Sequence, residues 1–482
     1  MKHQKMNRIL AAALSAACLV PFAAMMPVDA DAADVMSALE ITQEMGLGFN
    51  IGNSLDSTGY GNYDDITSFE KSWGNPAVTK EMVDTIKAKG FDSVRIPTSW
   101  FRHVTKTTDE NGNPVYTIDS RWLERVKEVV DYAYQQGMYV ILNLHHEEWI
   151  NRSDFATAYD EMSPQLKQMW TQIATYFADY DQHLIFEGMN EPRAANSGAL
   201  EWNGNEACYE VVNKLDNDFI ETVRSVDSPY KDTRLLMIPG YAASAYSSIY
   251  GYLEIPEDDN YIAASVHAYC PYNFAMGDGD HMTFSDTNKT ELDKIFKDIQ
   301  TTFTNEDIPV VIGEFSASNY NNTEARVDWA TYYLNWAKKL GIPCFLWDNN
   351  AINNGSNASE SHGYLDRSSL QWFSASEPVI DAMLSVLDDS SVKWGSERHL
   401  PEYKHSDLSD AIKVIYENAD GGTFAADSNY FDAQMVSGSE LSEDVEIAVQ
   451  YTDIMNPDLN FMDKEWGNWT TVAAYDVDKE KG

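Results

Sequence analysis

Glu191 lies in Met189-Asn190-Glu191-Pro192 and Glu314 in Ile312-Gly313-Glu314-Phe315, each directly behind a short apolar run. Two carboxyl groups facing one another can divide the work of breaking a sugar–sugar bond. One protonates the departing oxygen, and the other acts as nucleophile or base on the opposite face. For most of the 76 acidic residues a solvated or ion-paired role is a sufficient reading. These two differ because each has polar company at the end of a strand-like run. Arg95 could hold a carboxylate ionised through charge-assisted hydrogen bonds. Asn190 could bond a sugar hydroxyl, Tyr269 could bond the nucleophile, and Trp347 could form a floor for a pyranose ring. Asn53 and Trp100, just beyond the first and second runs, join them as substrate-binding candidates. His145, His146 and His267 are more ambiguous. His145-His146-Glu147-Glu148 suggests a metal, but it lacks the second histidine of H-E-x-x-H, so contacts to sugar hydroxyls are favoured and neither metal nor cofactor is expected. No G-x-S-x-G or G-x-x-x-x-G-K-[ST] occurs, which leaves serine-hydrolase and P-loop chemistry unsupported.

The elements that must position these residues alternate. The strand-like runs are Leu47–Ile51, Ser93–Pro97, Tyr139–Leu144, His183–Met189, Leu235–Pro239, Ile262–His267, Val310–Phe315 and Pro343–Trp347. They are short and continuously apolar, as strands covered on both faces should be. Amphipathic stretches separate them, predicted as helices over Thr79–Lys89, Ser120–Gln136, Ser163–Tyr180, Glu206–Val226, Leu292–Phe303, Ala325–Leu340 and Glu377–Leu387, with only a short helix within Ala242–Tyr250. Eight strand–crossover units predict an α/β protein, a (β/α)8 barrel, whose chemistry sits at the C-terminal ends of the strands. That is where the polar and aromatic residues fall. Glu191 follows the fourth run and Glu314 belongs to the seventh, on opposite sides of the barrel mouth. A doubly wound sheet is the alternative, but Gly46-Leu-Gly-Phe-Asn-Ile-Gly52 does not have G-x-G-x-x-G spacing.

Composition narrows the classes of partner. Hydrophobic residues make up 44% of the 482 and charged residues 23%, so the chain is not globally disordered. Its net charge of −42 excludes non-specific binding to nucleic acid or anionic lipid, both of which need clustered Lys and Arg. The 13 Trp and 27 Tyr suit stacking on something uncharged, and sugars are candidates. Lys2, Lys5 and Arg8, the apolar run from Ile9 to Met26 and the small residues around Ala30 and Ala32 have the pattern of a secretory signal over residues 1–32. The expectation is therefore an extracellular protein, free of the membrane after cleavage, with monomer as the default. Cys208, Cys270 and Cys344 are widely spaced and read as buried thiols. The barrel is expected over 33–388 and a linker over 389–406. Residues 407–482 carry alternating runs such as Val445–Tyr451 and Trp469–Tyr475, which suggest a small, β-rich carbohydrate-binding segment, incomplete for a sandwich.

The motifs together resemble glycoside hydrolase family 5, the large cellulase family of clan A, and look nearest to its bacterial endoglucanases and xyloglucanases. The resemblance rests on Gly48-Phe-Asn-Ile-Gly-Asn-Ser-Leu-Asp56, Trp73-Gly-Asn-Pro76, Gly90-Phe-Asp-Ser-Val-Arg-Ile-Pro-Thr-Ser-Trp100, Leu142-Asn-Leu-His-His146, Phe186-Glu-Gly-Met-Asn-Glu-Pro-Arg193, His267-Ala-Tyr269, Gly313-Glu-Phe315 and Trp347-Asp-Asn349, in family order. It implies a retaining β-1,4-glucanase acting on β-glucan polysaccharide, with Glu191 as acid/base and Glu314 as nucleophile. It carries Arg95, His145, Asn190, His267, Tyr269 and Trp347 to the sugar being cleaved, with mannanase, xylanase or a silent binder as the alternatives. Trp73, Trp100, Trp149 and Trp202 are candidate platforms further along the cleft.

Overall fold

The computed structural model describes residues 36–277, 282–352, 360–400, 458–462 and 469–473. Its centre is a closed barrel of eight parallel strands: β1 (Leu47–Ile51), β2 (Ser93–Ile96), β3 (Tyr139–Asn143), β4 (Leu184–Glu187), β5 (Leu236–Pro239), β6 (Ile262–His267), β7 (Val310–Phe315) and β8 (Cys344–Asp348). Each strand pairs with its sequence neighbours, and β1 closes on β8 through Leu47↔Cys344 to Ile51↔Asp348. Every residue of these strands is buried. A side chain either fills the barrel or meets the helical ring, so the runs are apolar without alternation.

The ring is built from α1 (Lys80–Lys89), α2 (Ser120–Tyr134), α3 (Tyr159–Tyr176), α4 (Glu206–Ser225), α5 (Asp286–Thr302), α6 (Thr323–Leu340) and α7 (Glu377–Asp388). The Thr79 side chain caps α1 by accepting the Met82 N–H, and Gly90 ends it at φ 117°. Trp122, Leu123, Val126, Val129, Val130 and Ala133 form the buried stripe of α2. The expected start at Ser163-Pro164 falls inside α3, which begins at Tyr159. Buried Met162 anchors the extra turn, and Pro164 forfeits only the bond it would have donated to the Asp160 carbonyl.

Three further features bear on the expectations. A hairpin, Val104–Thr108 with Pro114–Ile118, follows β2 and is fastened to α3, where Gln168 and Gln172 accept the Tyr116 and Ile118 N–H groups at 2.9 and 3.0 Å. Cys208, Cys270 and Cys344 are buried free thiols. The first part of the expected linker is fastened to the barrel. Gly395 and Glu397 donate their N–H groups to the Lys338 and Lys339 carbonyls, both at 2.8 Å, and Thr304 Oγ1 bonds the Arg398 carbonyl at 2.8 Å. Of the expected C-terminal segment, Asp458–Met462 and Trp469–Ala473 pair antiparallel, and the remainder, with the expected signal over 1–32, lies outside the described residues.

Candidate active site

Arg95, near the end of β2, is the hub. It is fully buried, and its guanidinium donates to four partners, with His267 Nε2 a fifth neighbour 3.5 Å from Nη2. Nη1 donates to Glu314 Oε1 at 2.7 Å and to Asn50 Oδ1 at 3.0 Å. Nε donates to Glu187 Oε2 at 2.8 Å, and Nη2 to Asn190 Oδ1 at 2.7 Å. Such a cation could not remain buried unless the two carboxylates neutralised it. Burial works against its charge, but Glu187 and Glu314 outweigh burial and hold Arg95 above its ordinary range. Glu187 answers in kind. Burial would raise its carboxyl, yet the Arg95 charge and His267 hold it at about 2. Ser265 Oγ and Asn143 Nδ2 complete its partners at 2.6 and 2.9 Å.

The two carboxylates singled out from sequence meet above this hub. Glu314, on β7, has Arg95 on one oxygen and Tyr269 Oη on the other at 2.8 Å. Glu191, just beyond β4, accepts from Arg193 Nη1 at 3.0 Å and from His267 Nδ1 at 2.9 Å. His267 Nδ1 also lies 3.7 Å from Glu314 Oε2. One oxygen of Glu191 and one of Glu314 lie within 4.8 Å of each other. Burial opposes the charge of His267, but Glu314 and its hydrogen-bonded carboxylates outweigh burial and raise it to about 9. The imidazolium in turn overcomes the effect of burial on Glu191 and pulls that carboxyl well below its usual range. The resting pair therefore holds one proton, on the histidine, 2.9 Å from Glu191.

One wall is flat. Trp347, at 9% exposure, lies parallel to the His145 ring, with centroids 5.9 Å apart and planes 5° apart. Gly52 makes room for it, since a Cβ there would stand 2.6 Å from Trp347 Cζ2. His146 sits edge-on to His145 at 4.3 Å, and Trp73 leans on His146 at 5.7 Å. Burial pushes His145 well below its ordinary range and His146 down to about 4, so both are neutral at pH 7.

Asp56, His145 and His146 bring ligating atoms within 4.8 Å of one another, a spacing that suits a metal ion. Their hydrogen bonds do not suit one. Asn143 Oδ1 takes the Thr98 N–H at 3.0 Å, so its amide faces Glu187 and His145 Nδ1 as a donor. His145 Nδ1 is then an acceptor, and Nε2 carries the proton of the neutral ring instead of a lone pair for a metal. The two Asp56 oxygens accept the Asn53 and Ser54 N–H groups, at 2.9 and 2.6 Å.

The structure brings together Arg95, Asn190, Glu191, His267, Tyr269 and Glu314, with His145 and Trp347 as the adjoining wall and His146 beside it. Asn53 is half-buried on the loop after β1, and its carbonyl accepts from Asn75 at 2.8 Å. Trp100 is a correction. It is fully buried, its indole N–H is spent on the Asn143 carbonyl at 2.9 Å, and it presents no face to a sugar. Trp149 is half-buried, with its indole N–H on Glu147 at 2.6 Å, while Trp73 and Trp202 stand 41% and 54% exposed. The sequence reading gave no role to Glu187, Asn143, Asn50 or Ser265. A charge inside the apolar run Leu184-Ile-Phe-Glu187 was the available signal, because a glutamate pointing into a barrel needs a buried cation.

The fold and this pair of carboxylates at the strand ends define a (β/α)8 glycoside hydrolase. Residues 55–353 match the profile of Cellulase (glycosyl hydrolase family 5), and the chain belongs to that family. It is 42% identical over 354 residues to Endoglucanase A of Clostridium longisporum, covering 72% of this chain and 66% of that protein. It is 41% identical over 358 residues to Endoglucanase A of Ruminococcus albus, covering 72% and 92%. A broad-specificity endoglucanase from Ruminococcus flavefaciens superposes with a TM-score of 0.68 at 51% identity, over 74% of this chain and 99% of that one. A xyloglucan-specific endo-β-1,4-glucanase from a metagenomic library, solved with cellotriose, superposes at 0.66 and 37% identity, over 72% and 98%.

Proposed function

We propose that the protein is an exported, retaining endo-β-1,4-glucanase that cleaves internal bonds of cellulose-like and mixed-linkage glucans and of xyloglucan. The carrying observation is the separation of Glu191 and Glu314, with oxygens within 4.8 Å. Retaining enzymes hold their carboxyl groups about 5–5.5 Å apart, whereas inverting ones leave about 6.5–9.5 Å for a water.

In this reading Glu314 attacks the anomeric carbon. Arg95 and Tyr269 orient its two oxygens for that attack. Glu191 receives the proton resting on His267 and passes it to the departing glycosidic oxygen. In the second half Glu191 takes a proton from water, and that water releases the sugar from Glu314. Asn190 has its carbonyl turned to Arg95, so its amide is oriented to donate to a hydroxyl of the reacting sugar. Trp347 carries the apolar face of that ring. Proton transfer and carbon–oxygen displacement need no redox step.

Endo action is supported by the names of the relatives, and tolerance of branching by the broad-specificity and xyloglucan-specific neighbours. Export is supported by the pattern of residues 1–32. Among the described residues no helix is long and apolar enough to cross a membrane. The test is a panel of carboxymethyl-cellulose, mixed-linkage glucan, xyloglucan, xylan and mannan with product sizes resolved. Rapid viscosity loss on the three glucans is expected. Cleavage confined to xylan or mannan would overturn the substrate assignment, and binding without cleavage of any polymer would leave a silent binder.

A further inference from the structure

The barrel interior beneath the two carboxylates is charged. In this fold the interior layers are normally filled by bulky apolar side chains drawn from alternate strands. Here the alternate strands β2, β4 and β6 contribute Arg95, Glu187 and Ser265, all buried. A buried ion pair adds little stability over a well-packed apolar core, so its presence under the site calls for a reason in the chemistry.

Glu187 has no surface left for a substrate, and its two oxygens face two different cations. Oε2 meets Arg95 Nη2 at 2.6 Å and Nε at 2.8 Å. Oε1 accepts from Ser265 Oγ at 2.6 Å and lies 3.9 Å from His267 Nε2, an ion-pair distance without a hydrogen bond. Ser265 and His267 stand two apart on β6 and so share its inward face. Arg95 Nη2 and His267 Nε2 are 3.5 Å apart. Gly313 on β7 leaves room for this meeting, since a Cβ there would stand 3.2 Å from His267 Nε2 and 3.4 Å from Glu187 Oε1.

An imidazolium and a guanidinium this close repel one another. The charged and titratable groups around His267 are Arg95 from β2, His145 beyond β3, Glu187 and Glu191 from the end of β4, and Glu314 from β7. His145 is neutral. Glu191 pairs with Arg193, while Glu187 and Glu314 share Arg95. Three carboxylates thus meet two guanidinium groups, and an imidazolium at His267 supplies the missing positive charge.

We propose that Glu187 is a positioning residue for the cleavage: bridging Arg95 and His267 from below, it lets the two cations stand side by side and keeps the histidine proton turned toward Glu191. The proposal rests on the reading of Glu191 as the proton donor. Without the Glu187 charge, His267 Nε2 becomes an acceptor for Arg95 Nη2, the ring is neutral, and the pair enters the reaction one proton short.

The test is a pH profile of kcat/KM on an aryl β-cellobioside for the native protein and for Glu187→Gln, which keeps an oxygen for Arg95 and removes the charge. The alkaline limb lies near 9 in the native protein. In Glu187→Gln it should fall by at least about one unit, so that kcat/KM at pH 9, relative to its own plateau, drops at least about fivefold. Glu187→Asp keeps the charge and should return the limb most of the way. A residue that only shapes the core would lower the plateau and leave the limb in place, so an unmoved limb in Glu187→Gln overturns the proposal. Nitrogen NMR of the native protein, labelled in its histidine rings, reads the same point without depending on how a Glu187 variant folds. The His267 signal is identified by its loss in His267→Asn. Both ring nitrogens protonated at pH 7 is the expected result. A neutral ring with Nε2 unprotonated in an active glucanase overturns the proposal and leaves the glucanase reading standing. Failure of the native protein to cleave any β-glucan or aryl glycoside would overturn that reading instead, and the spectrum would still decide the charge of His267.

Discussion

Replacing His267 with Asn probes the proton that the mechanism needs. Asn can put an amide N–H where Nδ1 stands, 2.9 Å from Glu191, but it cannot hold a titrating proton. In the native site the Glu191–His267 pair loses its proton near 9, the value to which the surrounding carboxylates raise the imidazole against burial and Arg95. The alkaline limb of kcat/KM should therefore lie near 9. In His267→Asn the proton rests on Glu191 alone, and the limb drops toward the carboxylic range, by two units or more. Each unit of pH beyond the limb costs about tenfold, so activity should fall at least about twofold at pH 7 and at least about tenfold at pH 8, while activity near pH 5 falls far less. The linkage has the same sign. A histidine raised in the folded state contributes stability that is complete below about 6.5 and lost as pH climbs through 9. The shift corresponds to roughly 3 kcal/mol, so the difference in unfolding free energy between native and variant should narrow between pH 6 and pH 10. The assay is a pH–rate profile on an aryl β-cellobioside, with urea unfolding at both pH values. An alkaline limb that stays near 9 in the variant would refute the reasoning.

Two other substitutions separate binding from stability. Gly52→Ala drives a Cβ to within 2.6 Å of Trp347 and 2.9 Å of the Asp348 carbonyl, so the floor must move. A several-fold rise in KM and a loss of about 1–3 kcal/mol in unfolding free energy are expected, by steady-state kinetics and denaturation. Asp216, within α4, is buried with neither carboxyl oxygen hydrogen-bonded, and burial raises it well above the ordinary range. A raised acid costs stability increasingly as pH climbs above its unfolded value. Asp216→Leu should therefore stabilise the protein by about 1–3 kcal/mol, more at pH 8 than at pH 5. An equal effect at both pH values would contradict the buried-acid account.

Much of this was legible in the sequence because buried parallel strands carry a strong signal. All eight strands lie where continuous apolar runs predict them, three with the same bounds and five with ends displaced by one or two residues. The misses have local causes. The hairpin from Val104 to Ile118 is largely solvent-facing, so its apolar signal is weak, and Asn111-Gly112, with Gly112 at φ 87°, was the turn signal on offer. The helix Ala38–Met45 lies ahead of the repeating pattern, yet Ser37 and Glu40 form a capping box that marks its start. Strand-end position also picked out residues that the fold brings together, since Glu191, Glu314, Arg95 and Tyr269 meet in one hydrogen-bonded cluster with His267. It could not tell which aromatic faces the cleft. Trp100 stands at the right place along the chain, but its indole turns into the protein to reach Asn143, a contact that exists only once β2 and β3 pair.

The central claim is that Glu314 becomes covalently bound to the sugar. A 2-deoxy-2-fluoro-β-cellobioside with a good leaving group slows both halves of the reaction and lets the intermediate accumulate. Mass spectrometry of the digested protein should then find the fluorosugar on the peptide containing Glu314, attached through its carboxylate. An adduct on any other residue, or turnover with no adduct and an inverted product, would contradict the account.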